Sequence, residues 1–456
     1  MKKLLCTVLS TVLAMSSAAA LNMSAYADSA NTQQVSYNYW YNSSTGYTDE
    51  NVHTRQMEKL DRGLIAIKTD GGVYLSWRLF DSEDNIFGSA DKNVSFNVYR
   101  DGKKISEVAT KTNYVDSTVG TNYSVAPVMN GVEGDKCDAV TVNENSYFDI
   151  PLSKPDDETI YDPSGNELAT YSFFPADCST GDVDGDGEYE IIVKWTSSEH
   201  DVGSPGDPAY SGTVHLAAYK LDGTKLWKND IALGKNVYSS AHTLQFLVYD
   251  FDGDGKSEVM CQTSLGSKDG QGKYVSNAAQ TDEEIKAITD EENSTADYRG
   301  YGRITEGKEF LTVFNGETGV AMDTINLPTT RGSENGVDYG DDFGNRSNRF
   351  VSDIAYLDGE KPYAIYLRGY YFGRNGKQRT SIAGISWDGT ALSPTYRFDT
   401  QKGQEGYYDG AYQYVGNGNH NCTVADVDND GKDEFITGAL CMEVNDDNEF
   451  RPKWCT

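Results

Sequence analysis

A nine-residue acidic pattern constrains this chain more than any other feature, because it occurs three times. It reads Asp182-Val183-Asp184-Gly185-Asp186-Gly187-Glu188-Tyr189-Glu190, then Asp250-Phe251-Asp252-Gly253-Asp254-Gly255-Lys256-Ser257-Glu258, then Asp426-Val427-Asp428-Asn429-Asp430-Gly431-Lys432-Asp433-Glu434. Carboxylates at positions 1, 3 and 5, a glycine at 6 for the sharp turn and a glutamate at 9 can wrap oxygens around one hard cation, and Ca²⁺ suits that donor set. The expected ligands are Asp182, Asp184, Asp186 and Glu190; Asp250, Asp252, Asp254 and Glu258; and Asp426, Asp428, Asp430 and Glu434. An EF-hand needs a carboxylate at position 12, where this chain has Val193, Cys261 and Thr437. Solvated Asp-Gly turns are common singly, but a full repeat of the spacing argues for metal.

Each loop runs directly into an apolar stretch, Glu190-Ile191-Ile192-Val193, Glu258-Val259-Met260-Cys261 or Glu434-Phe435-Ile436-Thr437, which reads as a buried strand. A hairpin follows the first, Ala218-Tyr219-Lys220-Leu221-Asp222-Gly223-Thr224-Lys225-Leu226-Trp227, with echoes at Leu311–Gly316 and Gly384–Gly389. A weaker loop at Asp353-Ile354-Ala355-Tyr356-Leu357-Asp358-Gly359 precedes Tyr363–Leu367. Loop, strand and hairpin therefore recur from about 182, 250, 353 and 426, the rhythm of propeller blades. The expected fold is all-β, with a small sandwich ahead of the propeller.

That sandwich is read from alternating strands at Leu64–Ile67, Val73–Arg78, Val94–Arg100 and Tyr123–Val128, separated by Gly and Asp turns. A tryptophan facing inward and a tyrosine-rich partner strand suggest the fibronectin III kind, over 55–145. The propeller is assigned to 146–456, with a long insertion at 265–308 whose acidic piece Thr281–Asn293 reads as a short helix. Ahead of the sandwich, 1–27 reads as a secretory signal peptide cleaved before Asp28, and 28–54 as a linker or arm. Secretion is the expectation. Six cysteines remain beyond the signal, and packed, unbridged thiols are the preferred reading. A formal charge of −31 argues against nucleic acid and anionic membranes as partners. Calcium would offset part of it, so an anionic sugar polymer stays compatible.

Candidate chemistry lies in Gly-rich polar segments. His242 precedes Asp250 by eight residues and His420 precedes Asp426 by six, so on strands entering the loops both would face the same way. A satisfied structural histidine is the competing reading for each. Arg368-Gly369-Tyr370-Tyr371 could hold a carboxylate beside sugar-stacking rings, and Asn345–Arg349 offers similar groups or a plain surface loop. Lys194, with Trp195, ends a strand that could reach a central cleft or simply snorkel.

Arg55–Leu64, Asp70–Arg78, Phe96–Gly102, Gly181–Gly187, Tyr219–Trp227, Arg368–Tyr371 and Gly418-Asn419-His420-Asn421 together resemble the rhamnogalacturonan lyases of polysaccharide lyase family 11, colinearly over nearly all of 55–456. The resemblance implies an N-terminal β-domain, an eight-bladed propeller binding many calcium ions with a central cleft, and β-elimination at O4 of galacturonate in the rhamnogalacturonan I backbone of pectin. It also implies a Gly-His-Gly-Asp motif and about four more blades beyond the Trp454 position. This sequence would supply about four blades of eight, a half ring with its cleft open on one side; complete, the protein is expected to be a monomer.

Elimination requires neutralisation of the uronate carboxylate, a base for the C5 proton and help for the oxygen leaving C4. Arg368 is placed at the carboxylate, and His420 and His242 near the metal or substrate. Lys194, Tyr370 and Asn419 are expected to bind sugar. A calcium-stabilised carbohydrate-binding or adhesion propeller without catalysis is the rival, since its loops are nearly the same; a glycosidase would need a carboxylate pair in the cleft.

Overall fold

Alternating apolar residues between Gly and Asp turns give the first part of the chain its two sheets. The structure is a computed structural model that describes 55–456 apart from 81–82, 84–93, 110, 162–163, 198–211, 235–236, 238–242, 276–282, 285, 289, 291–295, 298–302, 305–306, 343, 372 and 374–375. Strands β1 (Ile65–Thr69), β2 (Gly72–Ser76), β3 (Val94–Arg100), β4 (Lys103–Val108), β5 (Asn113–Asp116), β6 (Asn122–Met129), β7 (Val132–Glu133) and β8 (Val140–Thr141) form sheets of order β1-β2-β5 and β4-β3-β6-β7, with β8 also on β6. Val73, Leu75 and Trp77 from one sheet meet Phe96, Val98, Tyr123 and Val125 from the other in a core of their own. Trp77 packs edge-on to Phe96, 5.4 Å between ring centres. The Tyr123 hydroxyl reaches back 3.0 Å to the Thr118 carbonyl, the tyrosine corner of immunoglobulin-like sandwiches.

A hairpin, β9 (Glu158–Tyr161) and β10 (Glu167–Tyr171), leads to four sheets of four antiparallel strands. These are β11 (Phe174–Gly181), β12 (Glu190–Thr196), β13 (His215–Tyr219) and β14 (Ile231–Ala232); β15 (Phe246–Tyr249), β16 (Glu258–Ser264), β19 (Glu309–Asn315) and β20 (Ala321–Asn326); β21 (Phe350–Ala355), β22 (Tyr363–Arg368), β23 (Ser381–Trp387) and β24 (Leu392–Asp399); and β25 (Cys422–Ala425), β26 (Glu434–Thr437), β27 (Leu440–Val444) and β28 (Phe450–Cys455). The small pair β17 (Ala296–Asp297) and β18 (Arg303–Ile304) lies in the insertion, where the described residues of 283–290 are helical. Among the described residues no helix is long and apolar enough to cross a membrane.

The second strands are unbroken apolar runs because both their faces are covered. Ile192 faces the second blade in a cluster with Val248, Val259 and Phe314, whereas Ile191, Val193 and Trp195 point the opposite way, against Phe173 and Ile150. Met260 and Val313 meet Tyr366 and Trp387 between the second and third blades; Leu367 and Phe398 meet Phe435 and Met442 between the third and fourth. Two expectations need correction. The Asp222-Gly223 hairpin forms, with the Lys220 and Leu226 N–H groups donating to the Thr224 and Ala218 carbonyls (2.9 Å each), but its return arm is not the outer strand, which comes later, at β14. Asp353–Ala355 belongs to β21 rather than to a loop; the turn that follows it is closed by the Asp358 carboxylate, which accepts the Glu360 and Lys361 N–H groups. None of the six described cysteines forms a disulfide; Cys261 and Cys441 are packed inside, while Cys178 and Cys455 are exposed.

Every blade's first strand runs toward the loops, so the loops share one end of the molecule, and blades are stitched there. The Ser257 N–H donates to the Asp182 carbonyl (2.7 Å), and the Asp433 N–H to that of Tyr356 (3.0 Å). Residues 55–61 lie across this end as a strap. Arg55 pairs with Asp433 of the fourth blade (2.9 Å), the Gln56 N–H donates to the Glu360 carbonyl of the third (2.8 Å), and Lys59 reaches the Gly253 carbonyl of the second (3.2 Å). The Asp61 N–H meets the Gly187 carbonyl of the first (3.1 Å). The strap lies so close that a Cβ on Gly187 would sit 3.0 Å from Asp61 and one on Gly253 2.7 Å from Gln56.

Asp433 joins three elements, since its carboxylate also accepts the Tyr356 N–H (2.8 Å). Asp433→Ala leaves that N–H and Arg55 without their acceptor and should cost about 2–3 kcal/mol in thermal or denaturant unfolding. Asp433→Asn keeps an acceptor and should cost less; equal effects would refute this role.

Candidate functional site

The acidic loops build themselves from their first and last carboxylates. Asp182 accepts the Gly185 and Gly187 N–H groups (2.7 and 2.8 Å), Asp250 those of Gly253 and Gly255 (2.7 and 3.0 Å), and Asp426 those of Asp430 and Gly431 (3.2 and 3.0 Å). Glu190, Glu258 and Glu434 accept the N–H groups of Val183, Phe251 and Val427 (3.0, 3.0 and 2.8 Å). This leaves oxygens converging in three trios, Asp182/Asp184/Glu190, Asp250/Asp252/Asp254 and Asp426/Asp428/Glu434, each within 4.8 Å. Asp186, Glu258 and Asp430 belong to the same loops but fall outside those trios.

The donor set fits a hard divalent cation, all oxygen and partly withdrawn from water. Burial and neighbouring loop aspartates push Glu258 up to about 9 and Glu434 up to about 7, and raise Asp182, Glu190 and Asp250. Lysines answer part of this charge: the Lys220 ammonium is 2.5 Å from Asp184 and that of Lys453 2.6 Å from Asp428. Acids raised in the folded state bind protons more tightly there than when unfolded. Without metal, the stability they confer is present at acid pH and lost as pH rises through about 7 and then about 9. Chelation should therefore lower the melting temperature far more at pH 8 than at pH 5. A melting curve indifferent to chelator at pH 8 would refute metal binding.

At the opposite end, where the first strands begin, Gln245, Arg349, Phe350, Val351, Ser352, Asn419, His420, Asn421 and Cys422 line an open polar pocket. Two glycine segments set it up. Gly369 has φ +131°, and a Cβ on Gly418 would strike the Gly369 backbone at 2.3 Å, so the chains touch and His420 is laid on Tyr370. The Tyr370 hydroxyl is 2.5 Å from His420 Nε2, sharing one proton whose side depends on the imidazole tautomer. Tyr371 stacks on Tyr370, 4.1 Å between ring centres, and the guanidiniums of Arg346 and Arg349 each lie 5.1 Å from the Tyr370 ring. Burial pushes Tyr370 up to about 12, against the pull of Arg349 and Arg346.

The sequence-derived candidates do not all gather here. His420 and Asn419 line the pocket and Tyr370 backs it. His242 lies outside the described residues. Arg368, expected at a substrate carboxylate, is fully buried and holds a carboxylate of the protein itself: it donates to both oxygens of Glu309 (2.7 and 2.9 Å), which also pairs with Arg331. Burial opposes the ionisation of Glu309, but the two arginines win and lower its pKa. Lys194 is likewise buried, its ammonium 3.2 Å from the Leu244 carbonyl and 3.6 Å from Asp177, and burial lowers its pKa. Arg349 and Gln245 are among the pocket residues that sequence reasoning gave no role, with Ser352 and Asn421. The Asn345–Arg349 segment carried the signal for the first; nothing flagged Gln245.

His420 and Asp426 are separated by the length of β25. Six residues at about 3.3 Å each place the loop and the pocket roughly 15–20 Å apart. Metal in the loops therefore cannot touch a sugar in this pocket.

Fold and site together define a two-part β-protein, sandwich then blades, scaffolded at its acidic end and open to a polar ligand at the other. Residues 55–143 match the family described as rhamnogalacturonan I lyases beta-sheet domain, and 147–454 match rhamnogalacturonan lyase family 11, C-terminal domain. The chain belongs to rhamnogalacturonan lyase family 11. It is 43% identical over 393 residues to rhamnogalacturonan endolyase YesW of Bacillus subtilis, covering 85% of this chain and 56% of that protein. To rhamnogalacturonan exolyase YesX of the same organism it is 41% identical over 396 residues, covering 85% and 57%. The crystal structure of YesW superposes with a TM-score of 0.69 at 41% identity, covering 88% of this chain and 61% of that one; the rhamnogalacturonan lyase of Bacillus licheniformis gives 0.68 at 42%, covering 87% and 61%. The chain thus spans little more than half the length of these curated relatives.

Proposed function

We propose that this protein is a secreted lyase that cleaves the rhamnogalacturonan I backbone of pectin by β-elimination at O4 of galacturonate, held in shape by calcium in its three acidic loops. The observation that carries the reading is the pocket at the end away from the acidic loops, where a cationic arginine, an imidazole and amide side chains meet on a scaffold of the lyase family. Asp182, Asp184 and Glu190, Asp250, Asp252 and Asp254, and Asp426, Asp428 and Glu434 would hold the calcium, which would neutralise the charge of the loop carboxylates.

In the pocket Arg349 offsets the uronate carboxylate and so makes the C5–H more acidic. Among the described lining residues His420 carries the side chain suited to act as the base, with Tyr370 holding its ring. As the C5–H bond breaks, its proton goes to the base and its electron pair is held as an enolate of the carboxylate beside Arg349. That pair becomes the C4=C5 double bond as the C4–O4 bond breaks, and O4 takes a proton back from the protonated base or from water. Asn419 and Asn421 offer amides to sugar hydroxyls.

Digestion of rhamnogalacturonan I should raise ultraviolet absorbance as unsaturated uronate forms, and His420→Ala should lower kcat about 10²-fold or more. New reducing ends without absorbance would indicate hydrolysis. Binding without any product would indicate a carbohydrate-binding propeller.

A further inference from the structure

Tyr370 and Tyr371 are adjacent in sequence but differ in what they can offer a ligand. Tyr370 is 8% exposed, its hydroxyl committed to His420 and its ring to the arginines and to its neighbour. Tyr371 is 49% exposed and lies with its ring centre 5.9 Å from that of His420, itself on the pocket wall. One face of Tyr371 is covered by Tyr370 at 4.1 Å and a tilt of 34°. A large ring half in water, held from behind by a buried ring, is costly to leave uncovered and loses little freedom when covered.

We propose that Tyr371 is the sugar-stacking residue of a subsite flanking the His420 pocket, and that Tyr370 positions it. This rests on the lyase reading. The ligand class follows from the surroundings: the apolar C–H face of a pyranose suits the ring, while the adjoining pocket offers Asn419 and Asn421 to hydroxyls and the Arg349 guanidinium to a carboxylate one residue along. A neutral deoxyhexose next to a uronate matches both halves. A polymer of uronate alone would bring a second carboxylate close to Tyr371 without a second cation from the lining residues. Because Tyr371 stacks through its ring, its hydroxyl, 3.3 Å from that of Tyr370, is dispensable.

The test is binding of rhamnogalacturonan I oligosaccharides to the full chain and its variants by calorimetry, with melting temperature checked for each variant. Tyr371→Ala should weaken binding about three- to tenfold, and Tyr371→Phe should leave it within twofold of wild type. Tyr371→Leu, which keeps apolar bulk without the flat ring, should resemble Tyr371→Ala; with polygalacturonate as probe, the variants should differ little. Undiminished binding by well-folded Tyr371→Ala overturns the subsite and leaves the lyase reading standing. Weakening by Tyr371→Phe equal to that by Tyr371→Ala overturns stacking as its basis. A wild-type chain that neither binds nor cleaves rhamnogalacturonan I overturns the lyase reading and the subsite with it.

Discussion

The convergence of carboxylates, only partly answered by Lys220 and Lys453, at one end of the blades is the constraint on which the rest of the structure depends. Each trio gathers negative charge where burial makes that charge costly, so the loop geometry calls for a cation. Asp182, Asp250 and Asp426 also spend their oxygens on loop N–H groups, which joins loop shape to ligand position. Through Ser257 and Asp433 the second and third acidic loops each hand a hydrogen bond to the blade before them, and the strap of 55–61 crosses all four blades. Charge at this end is therefore a matter of packing between blades as well as of ligand position.

That division of labour separates stability from chemistry along a single short strand. Metal roughly 15–20 Å from His420 can set where β25 lies but cannot share a ligand with the sugar. On the proposed lyase reading, the positive charge facing a uronate comes from side chains at the pocket, where Arg349 is the lining cation. The buried pairs behind the pocket, Arg368 and Arg331 with Glu309 and Arg379 with Asp399, hold the 327–349 segment that delivers Arg349. Breaking such a pair strands a buried charge, so these arginines matter to the site without facing it.

Much of this was legible in sequence, for a physical reason in each case. The loops were readable because cation coordination demands fixed spacing, and the strands after them because burial on both faces leaves an unbroken apolar run. The sandwich showed through period-two alternation, and the Trp77 and Tyr123 positions fit it. Arg368 misled because a guanidinium beside glycine and tyrosines looks the same whether its carboxylate is a ligand or Glu309, 59 residues away in the chain. Gln245 had no signal because only the convergence of blades brings it to His420. The weak loop at 353 was misplaced because Asp358 satisfies its own turn, as a metal-free Asp-Gly turn can.

On the proposed reading the acidic end is scaffold and the opposite end receives the sugar. A crystal of the protein grown with calcium and soaked with a rhamnogalacturonan I oligosaccharide addresses both halves at once. Calcium density in the three trios with sugar density beside Arg349, His420 and Tyr371 is the expected result; sugar bound across the acidic loops, or calcium bridging a uronate to them, would contradict it.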